Sequence, residues 1–248
     1  MEYKRLPFQQ YFIDLPKGTK LSQKLTSNKP CDKSIVYTHI KSKSHLFGPF
    51  SLDISCEYNI RYLAGRNVIQ ISFEETNGFA DWIVNALIKE EYYGTFQIEN
   101  FGDINLKASK GWLDTWMAMK HTVRRCFKEE LNRHPDAYVE IVGWSLASAV
   151  ACYCAQDLNY NYGVKPYLYT YGSVLCWYSD EKDKCQAYLQ SCCADAFNFG
   201  FYNDVTSYLP CFPKFFTTNP IKLGKFNPFQ LFLFLKWHFT YWKDDIYG

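Results

Sequence analysis

AYVEIVGWSLASAVACYCAQDL, Ala137 to Leu158, is the stretch on which the fold turns. Its first part is a short apolar strand, and its second part is a helix whose first turns are built of small residues. Ser145 stands at the join with no linker on either side. A strand, a serine and a helix in direct succession are the context that a nucleophile elbow demands. The serine of such an elbow is held in a strained backbone conformation, so the residues two before and two after it must be small. Gly143 and Ala147 meet that need, and Ser148, Ala149 and Ala151 extend the small surface so that the helix can lie close to its neighbours. The positive N-terminal end of the helix then favours a serine alkoxide or a tetrahedral oxyanion. The competing reading is an ordinary small-residue turn, since the last glycine of the usual pattern is missing.

Working outward, the segments SLDISCEYNIRYL and NVIQISF are rich in β-branched and aromatic residues and flank Ala64, Gly65, Arg66 and Asn67, which predicts a hairpin. GWLDTWMAMKHTVRRCFKEELNRHP carries Trp112, Trp116, Met119, Val123, Phe127 and Leu131 at three- and four-residue steps, with Pro135 just beyond, and is the clearest helix. DWIVNALIKEE predicts a short amphipathic helix, and PYLYTYGS and FNFGFYND predict strands that close in polar or glycine residues. Strands alternating with helices imply an α/β fold, a largely parallel sheet covered by helices on both faces. Its 248 residues are expected to form one domain, with residues 1–48, broken by Pro7, Pro16, Gly18 and Pro30, as an irregular arm laid over it.

A serine hydroxyl is too weakly acidic to attack unaided and needs a histidine base oriented by a carboxylate. The α/β-hydrolase order is serine, acid, histidine. His39, His45, His121 and His134 all precede Ser145, which leaves His238. For the acid, Asp204 alone directly follows a good strand, where open α/β sheets carry their site residues. Asp180, Asp183 and Asp195 lie in a polar stretch that reads as a solvated helix or loop.

Composition narrows the alternatives. With 27 Lys and Arg against 25 Asp and Glu, the net charge of +2 gives no electrostatic reason to expect a nucleic-acid partner. Ten scattered cysteines without a CxxC pair, and a beginning without the apolar core of a secretory signal, point to an intracellular, cytoplasmic location and to no metal site. The apolar run Leu231 to Leu235 is far short of the roughly 20 residues a membrane-spanning helix requires. The sequence leaves the oligomeric state open.

Taken in order, these segments resemble the class 3 lipase family of α/β hydrolases over most of residues 66–242. Phe73, Glu74, Glu75, Thr76, then Asp81 and Trp82, are similar to the family's Phe-Arg-Gly-Thr strand end and the Asp-Trp helix after it. Ser109, Lys110, Gly111 and Trp112 resemble His-x-Gly-Phe, and Gly143 to Ser148 resembles Gly-His-Ser-Leu-Gly-Gly. Tyr171 to Val174 resembles Phe-Gly-Ser-Pro, Asp204 to Pro210 resembles Asp-x-Val-Pro-x-x-Pro, and His238, Tyr241 and Trp242 are similar to the final His before Tyr-Trp.

The resemblance implies a triad of Ser145, Asp204 and His238, with an oxyanion hole from Thr76 and the backbone N–H of Leu146. It also implies that the helix expected at Asp81 to Ile88 forms or adjoins a lid, whereas core packing of Trp82, Ile83 and Leu87 is the plain alternative. Three departures stand out: Trp144 for the histidine before the nucleophile, Ala147 and Ser148 for two glycines, and Glu74 and Glu75 for Arg-Gly. Carboxylates aimed at a developing oxyanion oppose catalysis, but strand alternation lets at most one of these two face the site. The expected activity is hydrolysis of carboxylic esters, lipid or phospholipid acyl esters, through an acyl-enzyme, without cofactor and with transient contact to a membrane surface. The rivals are a non-catalytic hydrolase-fold binding or scaffold module, and a thioesterase or peptidase using the same triad.

Overall fold

The computed structural model describes residues 34–44, 48–75, 90–210, 214–225 and 227–228. In chain order its elements are β1 (Ser34–Ser44), β2 (Gly48–Leu63), β3 (Val68–Glu75), β4 (Glu90–Ile98), β5 (Gly102–Ser109), α1 (Lys110–Arg133), β6 (Tyr138–Trp144), α2 (Ala147–Tyr162), β7 (Tyr167–Tyr171), β8 (Trp177–Tyr178), α3 (Lys182–Ser191), β9 (Asp195–Phe201), a 3-10 turn (Val205–Tyr208), β10 (Phe215–Phe216) and β11 (Pro220–Leu223). Seven strands form one sheet in the order β1-β2-β3-β6-β7-β9-β11. The pairings β3–β6, β6–β7, β7–β9 and β9–β11 are parallel, and β1–β2 and β2–β3 are antiparallel. The expected hairpin is β2 and β3, turning at residues 64–67 with Asn67 at φ 52. Within the arm expected to be irregular to residue 48, Ser34–Ser44 instead forms β1, paired along its whole length with β2.

Parallel strands buried on both faces read as apolar runs, and β6 behaves so: Val139 to Gly143 are all buried. On one face Ile69, Ile71, Phe73, Val139, Ile141 and Leu168 join a single core with Trp112, Trp116, Met119, Val123 and Phe127 of α1 and with most of α2. Burying a side chain of this size contributes about 1.5 to 3 kcal/mol. Arg124 and Asp157 then bind α1 to α2 through two hydrogen bonds, one of them from Nε at 2.7 Å. The opposite face holds Val142, Tyr169, Tyr171 and Phe199, all buried, with Tyr171 and Phe199 stacked at 5.2 Å.

That face also carries a polar island. Glu140, fully buried, accepts hydrogen bonds from Arg66 (2.8 and 3.2 Å) and from Gln70 Nε2 (2.8 Å). Gln70 Oε1 accepts in turn from Arg61. A buried carboxylate is tolerable only when paired in this way.

A second, antiparallel sheet has the order β10-β8-β5-β4. Its strand β5 alternates as a half-buried strand should, with Ile104, Leu106 and Ala108 inside and Asp103 and Asn105 exposed. Trp177 of β8 meets the edges of Tyr93 and Tyr153 at 4.9 and 4.8 Å, which packs this sheet against α2. Tyr153 donates to the Cys176 carbonyl, and Tyr93 to Gln156, so the buried phenols are satisfied.

Candidate active site

Ser145 sits at the end of β6 with φ 59, one of three non-glycine residues with positive φ among the described residues, and its side chain is nearly buried. A serine in this region stores strain that the surroundings must over-determine. They do so from both sides. The Ser145 N–H donates to the Tyr171 carbonyl (2.8 Å), and the Ser145 carbonyl accepts from Ser148 N–H (3.1 Å), so the turn is fixed between β7 and the start of α2. Gly143 is obligatory: a Cβ there would lie 2.8 Å from both Ala151 Cβ and Ser148 Cα. Ala147, Ala149 and Ala151 are buried, as the close approach of α2 to β6 requires.

Leu146 is the N-cap residue of α2, a sixteen-residue helix with no side-chain cap. Its first-turn N–H groups and the positive end of its dipole therefore lie beside Ser145, where an oxyanion from attack on a carbonyl would form. Leu146, whose backbone N–H the resemblance assigns to the oxyanion hole, directly follows Ser145 at this helix end.

Asp204 follows β9 and is fully buried. It caps the short 3-10 turn of Val205–Tyr208, accepting from Thr206 N–H at 3.0 Å and from the Thr206 hydroxyl at 2.6 Å. The Thr206 hydroxyl also lies 3.2 Å from the Gly172 carbonyl, and the Gly172 N–H donates to Phe199. Asp204 is thus tied to the residue directly after Tyr171, whose carbonyl holds Ser145. Thr206 escaped the sequence reading, although an aspartate two residues before a threonine is a capping pattern.

β6 and β9 are parallel and separated by β7 alone. Ser145 and Asp204 consequently emerge at the same, C-terminal edge of the sheet, roughly 10 Å apart at the usual strand spacing. The other aspartates do not share that place. Asp180 and Asp183 are exposed around the start of α3, and Asp195 begins β9 at the opposite edge. β3, adjacent to β6, ends one residue before Thr76. Thr76, the helix expected at residues 81–88 and His238 lie outside the described residues, as do the side chains of Glu74 and Glu75.

Beneath the edge, Asn198 of β9 gathers a buried polar knot. Its Oδ1 accepts from Thr170, from Ser173 Oγ (3.3 Å) and from Cys152 Sγ (3.6 Å), and its Nδ2 donates to the Thr218 carbonyl. Every described cysteine is buried. Burial pushes the Cys154 and Cys193 thiols well up, which makes them unreactive. Among the described residues no His, Cys, Asp and Glu side chains gather in a group fit to hold a metal, and no helix is long and apolar enough to cross a membrane.

A mostly parallel sheet, with a strained serine at a strand-to-helix turn after β6 and an aspartate after β9, two strands along, has the layout of an α/β-hydrolase fold. Residues 70–207 match the family described as lipase (class 3), and the chain belongs to that family. No curated protein matches it significantly. Among solved structures it is similar in fold to the lipase of Rhizopus microsporus var. chinensis, with 17% identity and a TM-score of 0.54 over 72% of this chain and 56% of that one. Lipase II from Rhizopus niveus is 16% identical, with a TM-score of 0.57, over 82% and 68% of the two chains. A fungal lipase–inhibitor complex, described as a model for interfacial activation in lipases, is 18% identical, with a TM-score of 0.57, over 76% and 66%. The chain thus spans little more than half the length of the first of these lipases.

Proposed function

We propose that this protein hydrolyses carboxylic esters of lipids through a triad of Ser145, Asp204 and His238. One observation carries the reading: the strained Ser145 and the buried Asp204 share one edge of the sheet, two strands apart, with the gap that a bridging imidazole would span. In this scheme Ser145 Oγ attacks the ester carbonyl while His238 takes its proton. The tetrahedral oxyanion is held by the Leu146 N–H and Thr76. Its collapse breaks the acyl–oxygen bond, and the departing alcohol receives the proton from His238. Water then attacks the acyl-enzyme by the same route in reverse, releasing a carboxylic acid and free Ser145. Asp204 keeps the imidazole in the tautomer that accepts from serine.

The lipid assignment rests on family membership and on the described fungal relative's interfacial activation; a phospholipid acyl ester is the finer alternative. Location in the cytoplasm and transient contact with a membrane surface belong to the same proposal. Turnover of p-nitrophenyl butyrate and of an emulsified long-chain triglyceride by the wild type and by the variants Ser145→Ala, Asp204→Asn and His238→Ala tests it. Each substitution is expected to lower kcat by at least about 10³-fold, and wild-type activity should fall below roughly pH 6.5 as His238 becomes protonated. Undiminished turnover by Ser145→Ala or His238→Ala would contradict the triad, and a strict preference for thioesters or peptides would contradict the substrate class.

A further inference from the structure

Lys222 belongs to none of the motifs above, yet it reaches the same corner of the molecule. It stands on β11, in register with Gly200 of β9, four residues before Asp204. Its Nζ donates to the Ser207 carbonyl at 3.3 Å and lies 4.0 Å above the ring of Tyr208. Ser207 and Tyr208 are the last two residues of the 3-10 turn that Asp204 caps. Gly200 makes the arrangement possible, because a Cβ there would be 2.9 Å from Ser207 Cβ and 3.4 Å from Lys222 Nζ. One ammonium therefore grips the far end of a turn whose near end is the acid.

We propose that Lys222 is a positioning residue for Asp204: its charge clamps the Val205–Tyr208 turn from β11 and favours the ionised carboxylate that His238 requires. The inference rests on the assignment of Asp204 as the acid of the triad. Burial makes the ammonium costly and lowers its ordinary value, Asp204 opposes that by attracting the charge, and the balance leaves Lys222 at about 8. The described titratable groups facing it are Asp204 and Tyr208, with Tyr202 behind Tyr208, whose hydroxyl donates to the Tyr202 carbonyl at 3.0 Å. Burial, Tyr202 and Asp204 all push the Tyr208 phenol up, so Tyr208 stays neutral where Lys222 loses its proton.

The sign of two readouts follows. As pH rises through about 8 the clamp loses its charge, and activity on a dissolved ester should decline there. Arginine keeps its charge across that range. Because the folded protein holds Lys222 below its unfolded value of 10.5, keeping the proton at neutral pH opposes folding, and that cost vanishes in Lys222→Met. A merely structural lysine would behave oppositely, losing stability with the side chain.

The test is kcat, KM and Tm of the full chain with p-nitrophenyl butyrate from pH 6 to 10, for wild type, Lys222→Met, Lys222→Arg and Asp204→Asn. Lys222→Met is expected to lose roughly 3- to 30-fold in kcat at pH 7 with KM unchanged and Tm unchanged or higher. Lys222→Arg should retain most activity and lose the decline near pH 8. A wild-type kcat in Lys222→Met, or a decline near pH 8 that persists in both lysine variants, overturns the proposal. If Lys222→Met does not fold, it overturns the stability expectation, and the Lys222→Arg profile decides the clamp. An active Asp204→Asn brings down the acid assignment itself, and the clamp with it, whereas an inactive Asp204→Asn beside indifferent lysine variants brings down the clamp alone.

Discussion

Gly143 has no room for a side chain, and the reason lies on the other side of the turn, where Ser148 Cα and Ala151 Cβ come within 2.8 Å of its missing Cβ. The strain at Ser145 is maintained by that contact and by the hydrogen bond to Tyr171. Gly143→Ala must push α2 away from β6 and is expected to cost about 1 to 3 kcal/mol of stability, with a larger proportional loss in kcat than in folded protein. Chemical denaturation beside ester turnover measures both, and an unchanged kcat per folded molecule would show that the elbow tolerates the shift. This constraint was readable in advance, since small residues around a serine at a strand-to-helix join have a steric meaning. The Thr206 bonds to Asp204 were not singled out, and Lys222 was not readable at all. Its role depends on β11 lying beside β9, which no local pattern encodes.

At the scale of elements, the legible ones were those whose apolar period matches a single environment. α1 alternates a buried stripe with a solvated one, and β6 is buried throughout. β4 and β5 were missed although Asp103 to Ala108 alternates strictly, because a short antiparallel hairpin inserted between β3 and α1 breaks the expected strand–helix rhythm. Pro7, Pro16, Gly18 and Pro30 give residues 1–30 an irregular texture that hides β1, which starts beyond them at Ser34. The polar island shows the limit of reading strands by hydropathy: Glu140 sits mid-strand among apolar neighbours, and the turn residue Arg66 and Gln70 of β3 help make it acceptable. Glu140→Ala leaves Arg66 and Gln70 without their acceptor at the β3–β6 seam, and the expected loss is about 3 kcal/mol. Thermal unfolding of that variant checks the figure, and a loss below about 1 kcal/mol would mean that Arg66 and Gln70 find new acceptors.

Across the whole molecule, the elements assemble an edge at which chemistry is concentrated. Sequential parallel strands bring Ser145, Gly172 and Asp204 to one side, with the N-terminus of α2 beside them, while the second sheet covers α2 elsewhere through Trp177, Tyr93 and Tyr153. Fold and family were legible because several motifs fall in order along the chain, those at Ser145, Gly172 and Asp204 just past the ends of strands, where an α/β sheet exposes side chains. The histidine is named by elimination from chain order and by the likeness of His238, Tyr241 and Trp242 to the family's final His before Tyr-Trp. What remains central is whether Ser145 is a nucleophile. Reaction of the full chain with a fluorophosphonate probe, followed by mass-spectrometric mapping, measures that directly, because phosphonylation requires an activated serine and leaves a stable adduct. The expected result is a single adduct on Ser145, absent from Ser145→Ala and strongly slowed in His238→Ala. An adduct on Ser148 or Ser173, or no adduct on the folded wild-type protein, would contradict the account.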